Sequence, residues 1–150
     1  MPQSLSSILI HLVFSTKYRE PCLTPEIEAE LHPYLATVLQ GCDSPALIIN
    51  GDRDHVHALF TLARTWAIAD VVEEVKKRSS KWLKTKGPAF RQFHWQAGYG
   101  AFSVSQSQAE TVRRYIADQK VHHTKLSFQD EYRALLRKSS VTFDETYVWD

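Results

Sequence analysis

The chain has 150 residues, 43% of them hydrophobic, and 18 basic against 17 acidic residues give a net charge of +1. Such a composition excludes a disordered chain and suits one domain, expected to span residues 1–150, with a core of its own. No apolar run approaches the roughly 18 residues needed to cross a bilayer, the N-terminal MPQSLSS has no signal-peptide pattern, and two cysteines, Cys22 and Cys42, are too few for a disulfide scaffold or a zinc cluster. A cytoplasmic protein with reduced thiols is the expectation.

The first apolar run, residues 8–14, is rich in β-branched residues and reads as a strand interrupted only by His11. Thr24-Pro25 opens a helix, with Thr24 as N-cap and proline at the first helical position. Ile27, Leu31, Leu35, Val38 and Leu39 follow at helical spacing, and Gly41 offers a stop. Pro33 lies inside this pattern and should kink or split the helix. Residues 46–50 read as a second strand, residues 51–54 as a turn and residues 55–62 as a third strand, together a hairpin.

Ile68, Val71, Val72, Val75, Trp82 and Leu83 then mark one face of a long helix, which places Trp82 in the core. The sequence from Lys76 onward adds a basic band, Lys76, Lys77, Arg78, Lys81, Lys84, Lys86 and Arg91, with no acid among them. Such a band is either a solvated helix face or a surface for a polyanion. After the glycine-containing WQAGYG, residues 99–105 read as a fourth strand. Ser107 and Glu110 have capping-box spacing and should start a helix that runs to about His123. A short helix over residues 129–138 precedes the tail VTFDETYVWD. The order strand, helix, strand, strand, helix, strand is that of an α+β, ferredoxin-like (split βαβ) fold. It predicts a four-stranded antiparallel sheet with two helices on one face and further helical chain at the C-terminus.

Alternation along the third strand puts Val56, Ala58, Phe60 and Leu62 on one side and His55 and His57 on the other. Two imidazoles about 7 Å apart at Cα can converge on one ion, or can simply be solvated. On the helix after the fourth strand, Tyr115 and Gln119 are four residues apart and share a face. Alone, a helical tyrosine and glutamine at this spacing fit a half-buried core residue and a solvated amide equally well.

Taken together, these segments resemble a known family. DHVHALF and YIADQKVHH, with LVFSTKYREP, WQAGYGAFSVS and FDETYVWD in the same order, are similar to the HUH single-tyrosine transposases, both the TnpA type and its REP-associated relatives. The resemblance covers nearly all the chain. It departs at Ser139-Ser140, where relatives tend to have a glycine-containing turn, and at Pro33.

The resemblance implies that His55 and His57 are metal ligands, with Gln119 a third ligand or an orienting group, and that Tyr115 on the C-terminal part of the chain is the nucleophile. It implies cutting of single-stranded DNA at hairpin-marked ends, through a 5′-phosphotyrosine that a 3′-hydroxyl can later displace. It also implies a homodimer, with the tyrosine acting in its own subunit or in the partner's. The implied cofactor is Mg2+ or Mn2+, although two imidazoles alone suggest a softer metal. Phosphate contacts are expected from Lys76, Lys77, Arg78, Lys81 and Lys84. Base stacking is expected from exposed aromatics such as Trp95 or Tyr99, with core packing the alternative for Trp95. His122 and His123 are expected at the surface or on DNA. The competing reading is a non-catalytic nucleic-acid-binding module on an RRM-like scaffold.

Overall fold

The computed structural model describes residues 2–150. Its elements are β1 (Leu9–Ser15), α1 (Pro25–Gly41), β2 (Ala46–Asp52), β3 (His55–Thr61), α2 (Ile68–Leu83), β4 (Gly100–Val104), α3 (Ala109–Ala117), α4 (Gln119–His122) and α5 (Phe128–Lys138). The strands form one antiparallel sheet in the order β2-β3-β1-β4. This is the ferredoxin-like order expected from the sequence.

One sheet face carries Leu12, Phe14, Val56, Ala58 and Phe60, which pack against Ile27, Leu31, Leu35 and Val38 of α1 and Val71, Val72 and Val75 of α2. The other face is also buried. Leu9 and Leu59 meet Ala109 and Ile116 of α3, while Val13 and Phe102 meet Phe128, Tyr132 and Leu136 of α5. Burial on both faces explains why β1 is an almost continuous apolar run rather than an alternating one.

Several local expectations change. Helix α1 runs through Pro33 as one element. Its left-handed exit residue is Asp43, at φ 52°, rather than Gly41. The capping box does not form. A short 3-10 turn precedes α3, the Ser107 hydroxyl pairs with that of Ser105 at 3.1 Å, and Glu110 pairs with Arg113 and Arg114. The helix expected to reach His123 is interrupted at Asp118, so Tyr115 lies in the last turn of α3 while Gln119 opens α4. The Asn50 amide of β2 donates to the carbonyls of Ile116 and Ala117, at 3.0 and 3.1 Å, and satisfies the helix end that the break exposes.

Trp95 is not an exposed stacking platform. It is 7% exposed, lies edge-on to Phe14 and Phe93, and donates from its indole N–H to the Ser79 hydroxyl at 2.9 Å.

Two glycines are set by contact rather than by flexibility. A Cβ on Gly51 would lie 2.2 Å from the His55 carbonyl oxygen, so the β2–β3 turn closes only over glycine. A Cβ on Gly100 would lie 2.6 Å from the Tyr132 ring, so α5 seats on the sheet only where β4 has no side chain.

Candidate metal and tyrosine centre

The face under α3, α4 and α5 holds the polar residues of the sheet. His55 and His57 point there as alternation requires, but neither is solvated: both are fully buried. In the register of the sheet, His57 lies opposite Val13 and His55 opposite Ser15. His11, two residues before Val13 on the same side of β1, is buried with them.

The atom on which the centre converges belongs to Glu131 of α5. Its Oε1 lies 2.9 Å from His57 Nε2, 3.1 Å from His123 Nε2 and 3.4 Å from His55 Nε2. Its Oε2 accepts the Gln119 side-chain N–H at 2.9 Å and the Tyr115 hydroxyl. Gln119 Oε1 lies 2.9 Å from His55 Nε2 and 3.0 Å from His123 Nε2. Behind the two strand histidines, His55 Nδ1 faces Asp54 Oδ1 at 2.7 Å and His57 Nδ1 faces His11 Nε2 at 2.8 Å.

The electrostatics follow from this packing. Burial tends to raise the Glu131 carboxyl, but hydrogen bonds from His123 and His57 outweigh it and hold the group well below the usual carboxylate range. Burial pushes His57 down to about 4 and His11 down to about 3, so both rings are neutral near pH 7. Burial, and then the Glu131 carboxylate, push the Tyr115 phenol up, so it rests as a protonated donor. Burial favours neutrality at His123 too, but its bond to Glu131 prevails and raises it.

The structure therefore brings together Tyr115, His55, His57 and Gln119, as expected, within one chain. It adds three residues. In the sequence Glu131 is only part of an acidic stretch, His123 is expected at the surface, and His11 is only an interruption of a strand. A signal for Glu131 is present nonetheless. It lies on the apolar stripe of its own helix, between Phe128 and Tyr132 and one turn before Leu135, where a lone carboxylate needs a buried partner.

Among the described residues, His55, His57 and Glu131 form a group able to hold a metal ion, with one donor atom from each lying within 4.8 Å of the others. Two imidazoles and a carboxylate, leaving open positions for substrate and water, make a donor set fit for a divalent cation. The carboxylate also supplies the hard oxygen that the histidines lack.

The basic band divides. Lys77, Arg78, Lys81 and Lys84 are exposed. The first three line an open groove of about 550 Å3 with Tyr34 and Trp82, on the helical layer across the sheet from the centre. Lys76 turns inward, and its ammonium donates to the carbonyls of Gln96, Ala97 and Gly98.

A ferredoxin-like sheet that buries a histidine–carboxylate group beside a tyrosine defines an α+β domain with a candidate metal centre. The chain belongs to the IS200-like transposase family, whose model, "Transposase IS200 like", matches residues 4–119. It is 25% identical over 114 residues to the ISDra2 transposase TnpA of Deinococcus radiodurans, covering 73% of this chain and 81% of that protein. Two solved structures share the fold, each with a TM-score of 0.62. One is a provisionally assigned transposase from D. radiodurans R1, at 23% identity over 79% of this chain and 98% of that one. The other is a REP-associated tyrosine transposase bound to a REP hairpin, at 13% identity over 84% of this chain and 74% of that one.

Proposed function

We propose that this transposase cuts and rejoins single-stranded DNA by nucleophilic attack of Tyr115, with Mg2+ or Mn2+ held by His55, His57 and Glu131, and with Gln119 completing or orienting the site. The observation that carries the reading is that the Tyr115 hydroxyl and the two strand histidines are directed at the same buried carboxylate.

A divalent cation bound there supplies positive charge to a non-bridging phosphate oxygen and to the developing phenolate. The protein groups do the rest. Tyr115 attacks phosphorus in line, aimed by its hydrogen bond to Glu131 Oε2, and its proton passes to water. The bond to the 3′-oxygen breaks, that oxygen takes a proton from water and departs as a 3′-hydroxyl, and the 5′-phosphate stays on Tyr115 as an ester. In the rejoining step a 3′-hydroxyl attacks this ester and gives its proton to water, while the departing phenol oxygen takes a proton from water and returns to its hydrogen bond with Glu131. Burial of the cluster limits competing hydrolysis by water.

DNA recognition is assigned to Lys77, Arg78, Lys81 and Lys84, which offer phosphate contacts on α2, with Lys76 shaping the adjoining loop. A hairpin is the expected ligand, because the REP-associated neighbour is bound to one. A homodimer would then join two sites, each with its own Tyr115, and the whole of residues 1–150 would act as one cytoplasmic unit. An RRM-like binding module requires an open sheet face, and here α3–α5 cover it.

The test is incubation with single-stranded hairpin DNA and Mn2+, followed by denaturing electrophoresis for a covalent adduct. Tyr115→Phe and His57→Ala should abolish the adduct. Its persistence in Tyr115→Phe would refute the assignment of the nucleophile.

A further inference from the structure

His11 takes no part in the cleavage or rejoining steps, yet it is 4% exposed and its Nε2 lies 2.8 Å from His57 Nδ1, with the two rings stacked at 5.0 Å and 27°. We propose that His11 is a positioning residue that sets the tautomer of His57, and that the two rings exchange tautomers together when a divalent cation enters. The proposal rests on the reading of His55, His57 and Glu131 as a metal centre.

The proton count carries the argument. A neutral imidazole has one N–H and one bare nitrogen. His57 Nε2 lies 2.9 Å from Glu131 Oε1, and a carboxylate only accepts, so this nitrogen carries the hydrogen. His57 Nδ1 is then bare, and His11 Nε2–H must donate to it. A cation at the centre needs the opposite arrangement, because the His57 Nε2 electron pair must face the metal. The His57 hydrogen then sits on Nδ1 and donates to His11 Nε2, which must be bare, with the His11 hydrogen on its own Nδ1. Each ring has moved one hydrogen from ε2 to δ1, and none is gained or lost by the pair.

Only a residue that can both donate and accept at one atom serves both states, and histidine does so by tautomerisation. His55 has no such need. Its Nδ1 faces Asp54 Oδ1 at 2.7 Å, an acceptor with or without a cation, so Nδ1 keeps its hydrogen in both states even though Nε2 also faces acceptors, Gln119 Oε1 at 2.9 Å and Glu131 Oε1 at 3.4 Å, until a cation takes their place. The two metal-facing histidines thus have partners of different kinds, one static and one exchangeable.

The experiment uses the full chain with 15N-labelled histidine rings and Mg2+ alone, without DNA. Long-range 1H–15N spectra of wild type should show His57 and His11 as Nε2–H tautomers without metal and as Nδ1–H tautomers at saturation, while His55 keeps Nδ1–H throughout. A His57 ring that keeps one tautomer across the titration overturns the proposal, as does the absence of any Mg2+-induced change. In parallel, Mn2+ affinity is measured by calorimetry for two variants. His11→Phe keeps a flat ring but cannot accept, and should bind about 10- to 100-fold more weakly. His11→Gln presents an amide oxygen and should recover most of that loss. Equal Mn2+ affinity in wild type and His11→Phe also overturns the proposal. If Mn2+ binding and the tautomer exchange are present but no DNA adduct forms, the nuclease reading fails and this one stands.

Discussion

Replacing Gly100 by alanine should disable the centre without touching any residue in it. Gly100 pairs with Val13 across β1, and Val13 pairs with His57, so the three lie in one row across the sheet. Tyr132 of α5 rests directly on Gly100, and the preceding residue, Glu131, reaches His57. An added Cβ would sit 2.6 Å from the Tyr132 ring and 3.2 Å from the Phe102 ring. Ordinary carbon contact is about 3.5–4.0 Å, so α5 must retreat by about 1 Å. Tyr132 has little room to turn instead, because it is 3% exposed and stacked on Phe128 at 5.5 Å. A retreat of that size takes the 2.9 Å contact between Glu131 and His57 beyond hydrogen-bond range. Overpacking of this kind costs about 1–3 kcal/mol of stability, and a 1 Å misplacement costs about 100-fold in rate. Thermal unfolding, Mn2+ calorimetry and adduct formation measure the three effects. Gly41→Ala is the control, since nothing lies within 4 Å of its Cβ. A Gly100→Ala protein with wild-type Mn2+ affinity and adduct yield would show that α5 does not hold Glu131 in place.

Other contacts give further expected outcomes. Glu131→Gln keeps the shape but removes the charge that His57 and His123 share, and should weaken Mn2+ binding at least tenfold in calorimetry while the protein stays folded. Asn50→Leu leaves the carbonyls of Ile116 and Ala117 without their donor and should cost about 1–3 kcal/mol in urea unfolding. Lys77→Ala with Lys81→Ala should flatten the salt dependence of hairpin binding by about one unit per phosphate contact removed, and leave Mn2+ affinity unchanged. His32, pushed down to about 4 by burial and then by Lys120, is neutral in the folded protein. The unfolded chain takes up this proton first, near pH 6.5, so stability should fall as pH drops from about 6.5 to about 4. The His32 share of the loss approaches about 3 kcal/mol at the lower end, and His32→Gln should lose less stability than wild type between pH 7 and pH 4.5 in urea unfolding, while His57 and His11 give a loss of the same sign in both proteins.

The sheet and its two covering helices were legible because each strand and helix carries its own period. Val56, Ala58 and Phe60 against His55 and His57 settle a face, and the spacing from Ile27 to Leu39 settles a helix. The features that stayed hidden are long-range. Nothing near Asp118 announces a break, since the amide that makes it tolerable comes from Asn50, 66 residues from Ile116. Glu131 and His123 are charged or polar residues whose burial depends on one another, so neither looks buried in isolation. Trp95 illustrates the reverse error: a tryptophan beside glycine-rich chain looks available, but its indole N–H finds Ser79 on α2 and the ring turns into the core.

The match to the family model ends at residue 119, twelve residues before Glu131. A protein cut after α4 would retain His55, His57, Tyr115 and Gln119, the histidine pair and the tyrosine–glutamine pair of the family resemblance. It would nonetheless lack the carboxylate on which they converge, and Val13 and Phe102 would be open to water where α5 now covers them. Two chains with identical signatures can therefore differ in chemistry through the helix that lies beyond the signature, and surveys that count motif residues alone will group them together.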